Sequence, residues 1–297
     1  MTRNTYVLLA ILIALVIAAY LVMQKPGERS STGVSGQILV TVDSLAVDRI
    51  EIKSPGGSVV LQKKGGEWLL DSPVSYKADQ SNVAMLIHDC KNLEVKNMVS
   101  DKPEKHSVFQ VDSMGTRITF FEKGAERSSF ILGKAGSSYS EMYARRASSN
   151  DVNLISGASS YVFNRPIKEW RDRTILTTPR ENIKEIRYQY GDTVFVLARR
   201  DSTWLIGKDS TQIEVVNNLL STLSNVQADD FVDTLNTRPS KPTAQISYAG
   251  TQLTFFYVKQ GDKYLVQCST SPQWFEVQSW RANQILKHKK DIVKSGR

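Results

Sequence analysis

The side chains best equipped for chemistry in this 297-residue chain are three histidines, two cysteines and a few short charged or glycine-rich clusters. A histidine metal site needs partner ligands at short regular spacing, as in two histidines four residues apart on a helix. His88 sits in a helical pattern whose apolar face belongs to its neighbours, His106 in the polar loop Asp101 to Ser107, and His288 in a basic tail. None has a cysteine or carboxylate at ligand spacing, so no metal ligand is assigned. Cys90 and Cys268 are too distant in sequence to form a paired ligand motif, and they read as two separately buried thiols. The sequence leaves open whether they join.

Nucleophilic and phosphate chemistry find no better footing. No serine lies in a Gly-x-Ser-x-Gly elbow. Pro55-Gly56-Gly57 and Lys64-Gly65-Gly66 join strand to strand, whereas a phosphate loop leads into a helix and ends in Lys-Ser or Lys-Thr. Both therefore read as hairpin turns. Asp229, Asp230 and Asp233 lack the alternating ligands and glycine of a calcium loop. No catalytic, cofactor or metal residue follows. The stretch that stands out is Trp170-Arg171-Asp172-Arg173, an aromatic among charges near a domain junction. Trp170, Arg171 and Arg173 are candidates for a partner interface. The competing reading packs Trp170 between two units and pairs the arginines with nearby acids.

An internal repeat supplies the elements that would position these residues. Residues 48–70 and 184–206 each read as strand, glycine-bearing turn, strand, polar turn and tryptophan, with the same spacing from Ile50 to Trp68 and from Ile186 to Trp204. Val83, Leu86, Ile87, Cys90 and Leu93 follow a helical interval, as do Val216, Leu219, Leu220, Leu223 and Val226. The first set starts after Ala78-Asp79-Gln80-Ser81, which supplies N-cap residues. Ile118-Thr119-Phe120-Phe121 reads as matching Leu253-Thr254-Phe255-Phe256. Each unit thus runs hairpin, helix and four further strands, and short helices near 160–170 and 280–288 close them. Short connections and few helices predict antiparallel sheets with helices on one face.

Tyr6 to Met23 is an apolar run without charge, proline or glycine. Eighteen helical residues span about 27 Å, close to the hydrocarbon thickness of a bilayer. A cleaved signal peptide and a buried core helix are the alternatives; the run is long for the former and lacks a small-x-small site closing it. The formal charge of +8, from 38 basic and 30 acidic side chains, is spread thinly, with no dense basic stripe of the kind nucleic-acid binding uses. Lys287-His288-Lys289-Lys290 and Lys294 make a short basic tail.

Several of these stretches carry a resemblance to a known family. Trp68, Pro73 and Ala78-Asp79 ahead of the helix are similar to the opening signature of the bacterial domain of unknown function 4340. So are Ile131-Leu132-Gly133-Lys134, Tyr143-Ala144-Arg145 and Trp170-Arg171-Asp172-Arg173. The resemblance spans roughly residues 45–290 and is stronger in the first unit. The second lacks counterparts of the 132–134 turn and the 143–145 strand, so rearranged or shortened final strands are expected there. The family implies an N-terminal anchor before a repeated α+β unit. Because some members sit beside auxiliary components of gliding-motility-type ABC transporters, it also implies an envelope or export-linked role. It brings no catalytic residue.

The sequence thus predicts an α+β protein in four parts. A transmembrane anchor covers 1–26 with Tyr6 and Met23 at the ends of its apolar run, and a flexible tether covers 27–37. Two repeated units follow at 38–178 and 179–297. The expected role is a non-enzymatic, single-pass protein of the bacterial inner membrane, with the bulk of the chain extracytoplasmic. Its expected partners are the lipid bilayer and ABC transporter subunits or other envelope proteins, without nucleic acid or cofactor. The alternative is a module binding cell-wall or envelope polymer through exposed aromatics, with Tyr188, Tyr190, Phe195, Tyr257 and Tyr264 as candidates.

Overall fold

The computed structural model of the chain describes residues 36–138, 140–157, 159–235 and 239–294. The apolar run from Tyr6 to Met23 lies outside the described residues. Among the described residues, no helix is long and apolar enough to cross a membrane. The chain divides into two compact units between Asp172 and Arg173.

The first unit opens with three strands joined by tight turns: β1 (Arg49–Ser54), β2 (Gly57–Lys64) and β3 (Glu67–Ser72). Gly65 and Gly66 both take positive φ, 59° and 89°, the conformation that matches a two-residue turn to the twist of its strands. β4 (Tyr76–Lys77) leads into helix α1 (Gln80–Lys91). The Asp79 carboxylate caps this helix by accepting from the Asn82 amide at 2.9 Å. Then come β5 (Glu94–Ser100), the one-turn helix α2 (His106–Phe109), β6 (Thr116–Glu122), β7 (Ala125–Ala135), β8 (Glu141–Arg146), β9 (Val152–Ser156) and the short α3 (Ser160–Phe163). The sheet order is β4-β3-β2-β1-β6-β7-β8-β9-β5, and every recorded pairing is antiparallel.

Alternation along the strands sends Ile50, Ile52, Ile118, Phe120, Phe130, Leu132, Met142 and Ala144 into one core, where α1 lays Val83, Leu86, Ile87 and Cys90. The expectation of helices on one face needs a correction here. Ile131, between Phe130 and Leu132, points the other way and packs with Val111 and Val152. Phe109 of α2 packs on this satellite cluster, so the connection from β5 to β6 covers the outer face.

The second unit repeats the plan. β10 (Thr174–Thr177) leads to β11 (Glu185–Tyr190), β12 (Thr193–Arg200), β13 (Thr203–Ile206), β14 (Asp209–Ser210) and helix α4 (Ile213–Ser224). β15 (Asn225–Gln227), β16 (Asp230–Val232), β17 (Ala244–Tyr248), β18 (Thr251–Val258), β19 (Lys263–Cys268) and β20 (Trp274–Gln278) follow, then α5 (Ser279–Ile285) and α6 (Lys289–Ile292). Its sheet order is β14-β13-β12-β11-β17-β18-β19-β20-β16, the first order strand for strand.

Three readings from sequence change. β10 pairs with β15, so the second unit begins at Arg173 and not after Thr178. The final strands are not rearranged: β19 and β20 hold the places of β8 and β9. The Phe-Phe match is out of register, because Phe120 lies on β6 whereas Phe255 lies on β18, the equivalent of β7. Ile118 pairs with Ile52 of β1, and Ile246 pairs with Tyr188 of β11, so Ile246 is the counterpart of Ile118.

Both units close alike. The Asp79 amide donates to the Trp170 carbonyl at 2.9 Å, and the Gln212 amide to the Ile292 carbonyl at 2.8 Å. Bridges Ala78–Arg171 and Thr211–Val293 sit beside these bonds. Asp172 donates to Lys77 at 2.8 Å, and Lys294 to Ser210 at 3.0 Å.

Candidate functional site

The closure explains most residues of the opening signature. Trp68 on β3 is bonded through both backbone groups to the Gln80 side chain, its amide donating to Oε1 and its carbonyl accepting from Nε2, each at 2.9 Å. Nε2 also donates to the Ala78 carbonyl at 2.8 Å. In the second unit the Thr211 hydroxyl does part of this work, donating to the Trp204 carbonyl at 2.7 Å. Such bonds satisfy buried backbone groups that the two-residue strands β4 and β14 leave open.

Trp170 is 1% exposed and belongs to the first unit's core. Its equivalent by hydrogen bonding is Ile292, also fully buried. Arg171 is 3% exposed, with its guanidinium 4.5 Å from the Tyr76 ring centroid, while Arg173 is exposed at the start of the second unit. The three interface candidates are thus split between core and surface. The Trp170 ring fills a closing position within the first unit.

Of the other resembling residues, Leu132 and Ala144 face the core, while Ile131, Gly133, Lys134, Tyr143 and Arg145 meet on the outer face of the first sheet. Arg145 Nε donates to the Val111 carbonyl at 2.7 Å, Tyr143 packs on Phe109 at 4.7 Å, and the Lys134 ammonium sits 5.6 Å from the Phe109 ring centroid. A Cβ on Gly133 would fall 2.1 Å from the Phe109 carbonyl oxygen. Together they hold the connection carrying α2 against β7 and β8. The sequence named these residues but not their shared target.

What the repeat builds twice, and leaves open, is a groove between the tryptophan and the helix. In the first unit Trp68, Ala84 and Ile87 line about 520 Å3, with Ser44, His88, Lys91 and Asn92 around them. In the second, Trp204, Asn217 and Leu220 line about 400 Å3, with Arg180, Glu181 and Arg199 nearby. The tryptophans are 7% and 8% exposed, so each groove has an apolar floor of ring and aliphatic side chain under a polar rim. The Asn92 side chain lies 3.2 Å from His88 Nε2, and the Arg180 guanidinium donates to the Asn217 carboxamide. Cys90, on the buried face of the same helix, is fully buried, and burial pushes its thiol well up, away from a reactive thiolate. The arrangement suits holding a ligand or side chain; it supplies no activated nucleophile.

The remaining candidates have structural duties. His106 Nε2 contacts the Asn150 carbonyl at 3.0 Å, and His288 caps α6. Asp229 is held by Arg281 and accepts from the Gln278 amide at 2.8 Å. No cluster of three potential metal ligands exists among the described residues. Tyr188 and Tyr190 donate to the carbonyls of Ile285 at 3.2 Å and Lys287 at 3.0 Å, and Phe195 stacks on Tyr188 at 4.8 Å. These three rings seat the C-terminal segment. Tyr257 is exposed and leans on Tyr264, 5.2 Å away.

Two copies of one nine-stranded antiparallel module, each with a tryptophan-floored groove, define a tandem-repeat α+β protein. The chain belongs to the family described as domain of unknown function 4340, whose model matches residues 68–247. No curated protein and no solved structure matches it.

Proposed function

We propose that the protein is a membrane-anchored, non-enzymatic binding protein of the bacterial envelope that presents two related grooves to protein partners. The observation that carries this reading is the rebuilding of the same groove from equivalent residues in both units, with rims of different composition. Trp68 answers to Trp204, Ala84 to Asn217 and Ile87 to Leu220. The anchor rests on the apolar run Tyr6 to Met23. Subunits of an ABC-type transporter are the first partners to seek.

Envelope-polymer binding draws less support, because Tyr188, Tyr190 and Phe195 are engaged within the second unit, Tyr264 packs on its core, and of the five rings only Tyr257 is exposed. The test is recovery of the full-length, tagged protein from native membranes in mild detergent, with its partners identified by mass spectrometry. A stoichiometric partner lost on Ala84→Arg or Asn217→Arg supports the groove reading. A specific turnover abolished by a single substitution would overturn the non-enzymatic part. Recovery of the protein alone in every preparation would overturn the partner role.

A further inference from the structure

Of the five tryptophans, Trp68, Trp170, Trp204 and Trp274 are 1–8% exposed, whereas Trp280 is 60% exposed. It stands at the start of α5, where residues four apart share a face. Asn283 and Gln284 beside it are exposed as well. The ring is braced: the Arg281 guanidinium lies 4.7 Å from its centroid, and Asp229 holds that guanidinium through Nε at 3.1 Å and Nη2 at 2.9 Å. A large exposed ring with its neighbour fixed loses little freedom on docking.

The chain beyond α5 supplies charge. Asp209 takes Lys289 at 2.8 Å, and Asp291 accepts from the His288 amide at 2.9 Å to cap α6. Lys287, Lys290 and Lys294 have no ion pair among the described residues, nor does Lys208, next to the β14 strand that binds the Lys294 amide. Both α5 and α6 pack on α4, so Trp280 and Lys290 stand on one helix layer; Lys287 lies between α5 and α6, Lys294 follows α6, and Lys208 sits in the turn before β14, whose Ser210 carbonyl accepts from the Lys294 amide. The first unit has an equivalent exposed aromatic, Tyr161, under Arg165 at 4.9 Å. There the hydroxyl donates to Glu169, and no lysine cluster follows.

We propose that the helix layer of the second unit docks on the surface of an anionic bilayer, with Trp280 entering the headgroup region and Lys208, Lys287, Lys290 and Lys294 supplying attraction. An exposed amphipathic ring together with unpaired lysines is the composition the membrane interface selects. The inference rests on the anchor reading above. Thirteen residues from Gln24 to Gly36 span at most about 45 Å, so the anchor would hold Gly36 within that distance of the bilayer.

The test uses the full-length protein in lipid nanodiscs whose acyl chains carry bromine, which quenches only indole rings that reach the bilayer. Residues 1–36 contain no tryptophan, so the signal belongs to the folded part. Quenching is expected in discs containing phosphatidylglycerol, to weaken in high salt, and to vanish in Trp280→Phe. Each Lys→Gln change at 287, 290 or 294 should lower the docked-to-undocked ratio about fivefold, the equivalent of about 1 kcal/mol per surface lysine. Equal quenching in neutral and anionic discs, or none in either while the protein stays embedded, overturns the docking. Emission insensitive to lipid but shifted by a soluble anionic polysaccharide overturns it too, and assigns the face to a polymer. Failure of the protein to insert at all overturns the anchor instead.

Discussion

Trp170 and Ile292 differ in size and shape and share no sequence context, yet each carbonyl accepts the same bond from the residue before its helix. That equivalence predicts equivalent damage. Trp170→Ala should cost about 3–5 kcal/mol and Ile292→Ala about 2–5 kcal/mol, because both empty a closed core position. Urea melts of the two variants check this. A Trp170→Ala protein that melts like the parent would return the residue to the list of interface candidates. The sequence marked Trp170 by its charged neighbours, whose fates differ. Arg171 is buried beside Tyr76, while Arg173 begins the next unit. Residue type alone does not separate a core indole from a docking indole; Trp280, which sequence reading passed over, is the exposed one.

At the scale of elements, legibility followed rigidity. The β1–β3 and β11–β13 meanders have short turns that fix spacing, so Trp68 and Trp204 aligned from sequence alone. The helices were equally plain, because their buried positions recur at a helical interval. Alignment failed after them, where the β6–β7 and β17–β18 hairpins differ in length and phenylalanine pairs recur on non-equivalent strands. β5 and β16 were missed because each lies far along the chain from its partner, β9 or β20, and neither carries a clean alternation. The grooves were not legible at all, since they depend on the distance between a strand and a helix. Gly133 was singled out without a reason; the structure supplies one, the close approach of Phe109 and Val111. Gly133→Ala should push the covering connection off the outer face. The expected result is a loss of several kcal/mol, with faster amide exchange at residues 106–115. Unchanged exchange there would refute the role given to this glycine.

For the whole molecule, the two units share a plan but differ in their buried acids. Burial raises the phenols of Tyr188, Tyr190 and Tyr248, all in the second unit. The folded state therefore keeps protons that the unfolded chain releases near pH 10. Their contribution to stability is whole below about pH 10 and is lost as pH climbs through the raised folded values. Alkaline titration should show these three phenols resisting ionisation until the second unit unfolds, read by phenolate absorbance against circular dichroism. Ionisation of all eleven tyrosines before any loss of structure would sink the prediction.

The sulfur atoms offer a different kind of handle. Cys90 sits in the first core and Cys268 in the second, 0% and 1% exposed, and neither is bonded to the other. The native surface is therefore blind to thiol reagents, and each repeat contains one atom that reacts only when its own interior opens. Labelling kinetics followed peptide by peptide would act as two independent clocks, timing how often each half of the molecule comes apart.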